Sequence, residues 1–300
     1  MGTAHPTMLA DNCRSFFTVV MSEYLLEFKD IYYSYPMAKD PTLKGLSFRL
    51  PKNKKTAIIG QNGCGKSTMF LIADGLCQPD RGTVTLDNIP LTFDRASLNR
   101  WRQRVGLVFQ DPEQQLVAPT VAADISYGLC NQGLPDSEVA IRVTKTLADF
   151  HLENLAMSPL QHLSLGQKKR VSIAGVMALQ PELLLLDEPT AYLDPIQTRN
   201  LLTELDAIAK LGTTLLIATH DLDFVYQWAD WVLVMEQGEL IAEGETLKVF
   251  EQLQSMPNFQ LGMPILWQMW SRLADRMPDV LAPRSIEEFN LYLDKYILKR

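Results

Sequence analysis

The consecutive residues Gly60-Gln61-Asn62-Gly63-Cys64-Gly65-Lys66-Ser67-Thr68 lie between two apolar segments and have the composition of a cradle for phosphate. The spacing Gly60-x-x-x-x-Gly65-Lys66-Ser67 is the P-loop pattern. Glycines let successive backbone N–H groups turn toward one anion, and a helix beginning near Lys66 adds its positive end. In that geometry Lys66 reaches the β- and γ-phosphates of a nucleotide and Ser67 ligates Mg²⁺. Two carboxylates, Asp187 and Glu188, follow the run Leu183-Leu184-Leu185-Leu186. At the end of a buried strand Asp187 would hold Mg²⁺, directly or through water, and Glu188 would polarise an attacking water as general base. An acidic pair that merely caps a helix is the plainer reading of the same two residues.

These side chains need elements to position them. Residues 24–35, 45–50 and 82–86 are short, β-rich and partly alternating, which predicts an antiparallel sheet near the N-terminus. Residues 55–59 predict a strand that runs into the glycine loop. A helix over 66–76 follows, with Met69, Ile72, Ala73 and Leu76 on one face. From about 111 to 179 the pattern is mostly helical, broken by Pro119, Gly133, Pro135 and Pro159. The leucine run at 183–186 reads as a strand buried on both faces of a parallel sheet. A helix over 200–210, a strand over 213–219 and a hairpin of 231–236 with 239–242 around Gln237-Gly238 complete an α/β core. Past residue 246 the texture changes. Leu266, Met269, Trp270, Leu273 and Met277 fall at helical spacing after Pro264. A capping-box pattern at 285–288 precedes Phe289, Tyr292, Leu293 and Tyr296 on one face.

The 300 residues are 47% hydrophobic and 21% charged, as in a folded soluble chain. A net charge of −7 argues against a nucleic-acid partner, whose phosphates call for an excess of Lys and Arg. The four cysteines, at 13, 64, 77 and 130, form no C-x-x-C pair and suggest free thiols in a reducing compartment. Cys64 sits inside the loop, so its alkylation is expected to block nucleotide binding. No apolar run approaches the about 18 to 20 residues of a membrane helix, so any work at a membrane needs another chain to span it. Residues 1–22 read as a disordered tail, with translation starting at Met21 as an alternative. Pro6 argues against myristoylation at Gly2.

Further motifs carry a resemblance. Leu163-Ser164-Leu165-Gly166-Gln167 precedes the acidic pair, Ala191-Tyr192-Leu193-Asp194 follows it, His220 ends the next predicted strand, and Gln110 follows a predicted strand over 105–109. In this order the motifs resemble those of the ATP-binding-cassette (ABC) ATPases over about residues 24–244. The resemblance implies an α/β P-loop NTPase fold. It would have an ATPase domain over 23–245 with an N-terminal antiparallel β-subdomain, an inserted helical subdomain at about 111–179, and a small helical C-terminal extension over 246–300. It implies that Tyr35 stacks on adenine, with Tyr32 and Tyr33 as alternatives. Gln110 would sense Mg²⁺ and water, and His220 would contact the γ-phosphate. Ser164, Gly166 and Gln167 would close on the nucleotide of an opposing protomer, and Asp194 would link the two sites. Leu165 and Tyr192 depart from the small residues usual at their positions, which implies altered closure.

The stretch Phe109-Gln110-Asp111-Pro112-Glu113-Gln114-Gln115-Leu116 and its continuation over 119–128 resemble the cobalt and nickel importer ATPases and the related energy-coupling-factor ATPases for vitamins. That subgroup implies an ATP-hydrolysing subunit at the cytoplasmic face of a membrane. Its partners would be integral membrane transport subunits and a second ATPase chain, identical or paralogous. A chromosome-maintenance ATPase would need a long inserted coiled coil, and a translation factor would need two cassettes. A small-molecule kinase would have no reason for residues 163–167. A non-hydrolysing regulatory module is the remaining rival, and Glu188 argues against it. Trp267 and Trp270 are expected to pack on their own domain; an extra dimer contact is the alternative.

Overall fold

A computed structural model describes residues 23–256, 261–276 and 280–297. The expected tail at 1–22, the alternative start at Met21, Cys13 and Met277 lie outside the described residues. The strands are β1 (Tyr24–Tyr33), β2 (Leu43–Pro51), β3 (Lys55–Ile59), β4 (Arg81–Leu86) and β5 (Ile89–Pro90). They continue as β6 (Val105–Val108), β7 (Leu183–Asp187), β8 (Thr214–Thr219), β9 (Trp231–Glu236) and β10 (Glu239–Glu245). The first helices are α1 (Lys66–Ala73), α2 (Arg95–Arg104), α3 (Val121–Asn131), α4 (Asp136–Asp149) and α5 (Leu165–Met177). After them come α6 (Pro195–Lys210), α7 (Leu222–Trp228), α8 (Thr246–Gln254), α9 (Ile265–Ser271) and α10 (Ile286–Tyr292).

Alternation builds the N-terminal sheet, whose order is β2-β1-β4-β5 and whose pairs are antiparallel. Phe28 and Phe48 stand directly opposite each other with ring centroids 4.8 Å apart, so the buried face is locked by an aromatic cross-strand pair. The second sheet has the order β10-β9-β3-β8-β7-β6. All its pairs are parallel except the β9–β10 hairpin. Every residue of β7 and β8 is buried, as an uninterrupted apolar run demands when both faces are covered. Gln237 and Gly238 turn the hairpin at positive φ. Its tip also joins the sheets: Gly238 N–H donates to Cys64 O, and Gly238 O accepts from Lys44 N–H, both at 3.0 Å.

Three helix readings need correction. The helix after the glycine loop stops at Ala73, not residue 76, because Gly75 adopts φ 77, a left-handed stop; Leu76 beyond it is exposed. The helix expected over 200–210 begins at Pro195, since Asp194 caps it by accepting from Ile196 N–H and Gln197 N–H. In α9 the buried face is Leu266, Trp267 and Trp270, whereas Met269 is 47% exposed.

The C-terminal residues pack on their own chain. Trp267 meets Tyr226 and Phe250, and its Nε1 donates to Gln254. The Tyr226 hydroxyl donates to Pro283 O at 2.8 Å. Arg284 donates to the backbone carbonyls of Tyr226 and Ala229, where α7 ends. A cation on the orphan carbonyls of a helix C-terminus is well placed for the helix dipole too. Arg284→Ala should therefore lower unfolding stability by about 2 kcal/mol. Denaturant titration at unchanged slope checks this. A loss under about 0.5 kcal/mol, the range of neutral surface changes, would mean that Arg284 does not fasten the tail.

Candidate functional site

Parallel strands place their carboxyl ends on one edge, where ligands of such sheets bind. Here the adjacent strands β3, β8, β7 and β6 deliver Gly60, His220, the pair Asp187-Glu188 and Gln110 to the same edge. The register is level: Ile59 pairs with Thr219, Asp187 with Ala218, and Val108 with Leu186. These ends surround a cavity of about 700 Å³. Asn62, Gly63, Gly65, Lys66, Ser67 and Thr68 line one side. Tyr35, Gln110, Asp187, Glu188 and His220 line the rest, together with Thr42, Ala191 and Tyr192, which sequence reasoning did not place there.

The loop is folded by its glycines. A Cβ on Gly60 would press on Met235 O and come within 2.5 Å of Cys64 Sγ. Gly65 caps α1 at φ 108, a left-handed conformation that side chains resist. Lys66 is buried, and its Nζ donates to Gly60 O at 2.6 Å and Gln61 O at 3.2 Å. Cys64 lies beneath the loop, 5% exposed, and burial pushes its thiol pKa up despite the nearby Lys66. Burial should therefore slow the alkylation that is expected to block nucleotide binding, because a reagent reaches Cys64 only when the loop opens. Exposed Cys130 should react with a maleimide at least about tenfold faster than Cys64, as peptide mapping after timed labelling would show. Equal rates would mean that the loop is open in solution.

Of the three tyrosines offered for adenine, Tyr35 lines the cavity. Its hydroxyl is 3.1 Å from Thr68 Oγ1. Tyr33 donates instead to Cys77 Sγ, and Tyr32 sits under Arg81. Asp187 is buried at the cavity wall; burial raises its pKa, and a hydrogen bond with Ser67 opposes that rise. Glu188 is buried at φ 44. Its Oε1 lies 2.8 Å from His220 Nδ1, and its Oε2 accepts from Thr219 Oγ1 at 3.1 Å. A non-glycine residue in that backbone region is strained and persists only when its surroundings hold it.

The structure does not bring Ser164, Gly166, Gln167 and Asp194 to this cavity. Ser164 and Gln167 form a capping box at the start of α5, and Asp194 caps α6. Ser164, Gly166 and Gln167 line a separate small cavity of about 100 Å³ between those helices. Sequence reasoning also missed several supports. Gln115 accepts from Phe109 N–H and donates to Ser172 O, and Glu113 pairs with Lys168, so the segment after Gln110 is fastened twice to α5. Lys169 is buried, which lowers its pKa to about 8.

Comparisons with known proteins fit this geometry. A family model described as ABC transporter matches residues 43–191. A putative ABC transporter ATP-binding protein of Nostoc sp. is 53% identical over 83% of this chain and 91% of its own length. The chain belongs to the ATP-binding proteins of ABC transporters. An energy-coupling factor transporter ATP-binding protein of Methanocaldococcus jannaschii is 42% identical over 80% of this chain and 86% of its own. The solved structure of cbiO1 from Clostridium perfringens, part of the ABC transporter complex cbiONQ, superposes with a TM-score of 0.72. It is 36% identical and covers 86% of this chain and 97% of that one. This ABC ATPase is thus an ATP-hydrolysing subunit of the energy-coupling-factor type. Among its described residues no helix is long and apolar enough to cross a membrane.

Proposed function

We propose that this ABC ATPase powers import of cobalt or nickel ions, or of a vitamin, by closing and reopening a dimer around ATP at the cytoplasmic face of a membrane. The observation that carries the hydrolytic half is the buried Glu188 carboxylate, held between Thr219 and His220 at the edge of a cavity walled by the glycine loop. Lys66 and the loop N–H groups bind the phosphates, Tyr35 takes the adenine, and Glu188 accepts a proton from the attacking water. His220 would meet the γ-phosphate, and Gln110 would meet the attacking water and help hold Mg²⁺.

Among the described residues no group of three or more His, Cys, Asp or Glu side chains could hold a metal ion. Mg²⁺ suits the donors that are present, because it is usually bound by one or two protein oxygens plus waters and substrate phosphates. Ser67 and Asp187, which line the same cavity, would hold it beside Gln110. When bound, it neutralises charge on the phosphate oxygens.

The second half of the reading rests on what stands apart from the cavity. Ser164, Gly166 and Gln167 gather at the exposed N-terminus of α5, where an anion is well received, while Asp194 caps the neighbouring α6 and would link the two sites. A second copy or a paralogue turned face to face would present Ser164, Gly166 and Gln167 to this chain's γ-phosphate. Leu165, 37% exposed, and Tyr192, 81% exposed, would then meet the partner. Loss of the γ-phosphate removes a shared anion, and the two chains separate. Membrane subunits, docked on the segment after Gln110, convert that motion into transport. Purification of the intact complex from membranes tests the reading. Integral subunits and two ATPase chains should co-purify, and ATP-dependent uptake by reconstituted vesicles should single out cobalt, nickel or a vitamin. A lone chain that hydrolyses ATP with no integral partner would overturn it.

A further inference from the structure

A buried ammonium group on α5 reaches across to the turn that follows the candidate general base. Lys169 is 4% exposed. Its Nζ lies 2.7 Å from Ala191 O, 2.9 Å from Pro189 O and 3.3 Å from Glu188 O. An ammonium has three donors, and these three carbonyls take all of them. Among the described ion pairs none joins Lys169 to a carboxylate, so its hold is on the backbone of one turn. That turn is strained at both ends: Glu188 has φ 44 and Tyr192 has φ 64, both left-handed. A charge costs much to bury unless its donors are satisfied, so the arrangement keeps both the turn and the lysine in place.

We propose that Lys169 is a positioning residue for hydrolysis, setting the backbone of residues 188–191 so that the Glu188 carboxylate stays between Thr219 and His220. It also fastens that turn to α5, whose first turn carries Ser164, Gly166 and Gln167. Movement of α5 would therefore be passed to Glu188 through one side chain. This rests on the reading of Glu188 as general base. The Lys169 ammonium donates only to backbone carbonyls and neither binds phosphate nor transfers a proton.

The test uses the full chain and three variants. Lys169→Met keeps length and apolar volume but removes every donor; Lys169→Gln keeps two donors for three acceptors. Lys169→Met should lower kcat by about 30-fold, since small misplacement of a reacting group costs up to about 100-fold. The Kd for ATP should stay within about threefold of wild type, and Lys169→Gln should fall between the two in kcat. A residue that merely filled space would move folding and binding together and would show no graded rescue. Wild-type kcat in either variant, or a parallel loss of kcat and nucleotide affinity, would overturn the proposal. If Lys169→Met fails to fold, the kcat and Kd of Lys169→Gln decide alone, by the same criteria. Glu188→Gln serves as the control. Normal turnover there sinks the reading of Glu188, whereas an inactive control beside fully active Lys169 variants sinks only the positioning role.

Discussion

Glu188→Gln is expected to lower kcat by about 10³-fold, within the range that a positioned general base contributes, while ATP still binds. The substitution keeps shape and volume, so the backbone at φ 44 has no steric reason to move. What changes is proton affinity. A carboxylate can accept the proton of an attacking water, and an amide cannot. Thr219 Oγ1 can still donate to the amide oxygen, and His220 can adopt the tautomer that suits the amide nitrogen, so both side-chain contacts survive. The nucleotide would then be held uncleaved between two copies. Steady-state phosphate release, equilibrium nucleotide binding and the solution mass with ATP measure the three consequences. Turnover within about tenfold of wild type would remove Glu188 from the role of base, because a base worth less than that is outside the usual range.

The strands that carry this residue and the phosphate loop are legible in the amino-acid sequence. Periodicity and length suffice for β3, whose bounds match the reading, and for β7, where four leucines run straight into the carboxylates. The hairpin at Gln237-Gly238 is legible because few residues accept its positive φ. The helix α2 is not. Its sequence is mostly charged and polar, only Trp101 is buried, and no stripe marks a face. At the C-terminus the spacing sets Met269 on the same face as Leu266 and Trp270, and the structure turns Trp267 inward in its place. The aromatic cluster of Tyr226, Phe250 and Trp267 selects the face that exposes Met269. Beyond α10 the backbone widens into a π-helical turn, Leu293–Ile297, which shifts the face and leaves Tyr296 exposed.

The site divides in the same way. Lys66, Ser67, Asp187 and Glu188 carry their chemistry in their local spacing. Tyr35, Gln110, His220, Ser164 and Asp194 take their roles only through resemblance to a family. The supports have no such signal. Thr219 reaches Glu188 because β8 lies beside β7, and Lys169 reaches residues 188–191 because α5 packs under that turn. Nothing within a few residues of either position encodes those neighbours.

Lys66→Ala should abolish most nucleotide affinity while leaving the fold intact, the reverse of the pattern expected at Glu188. The Lys66 ammonium is satisfied by Gly60 O and Gln61 O and lies 4.0 Å from Cys64 Sγ. Phosphate oxygens offer the same group charged acceptors, so binding exchanges neutral partners for stronger ones. Hydrogen bonds to charged groups contribute about 1.5 to 3 kcal/mol each, and one or two of them lost amount to about 10- to 10⁴-fold in Kd. The fold itself loses less, because Gln61 is exposed and its carbonyl can turn to water, while the buried Gly60 O is left short of one donor at a cost of about 1 to 3 kcal/mol. Thermal unfolding separates the two effects. At ATP about 100 times the wild-type Kd, mass action stabilises the wild type by about 2.7 kcal/mol, whereas a Kd raised 100-fold leaves about 0.4 kcal/mol. Glu188→Gln should keep its full ATP-induced rise in Tm and Lys66→Ala should lose nearly all of it. A rise of wild-type size in Lys66→Ala would place the phosphates somewhere other than this loop.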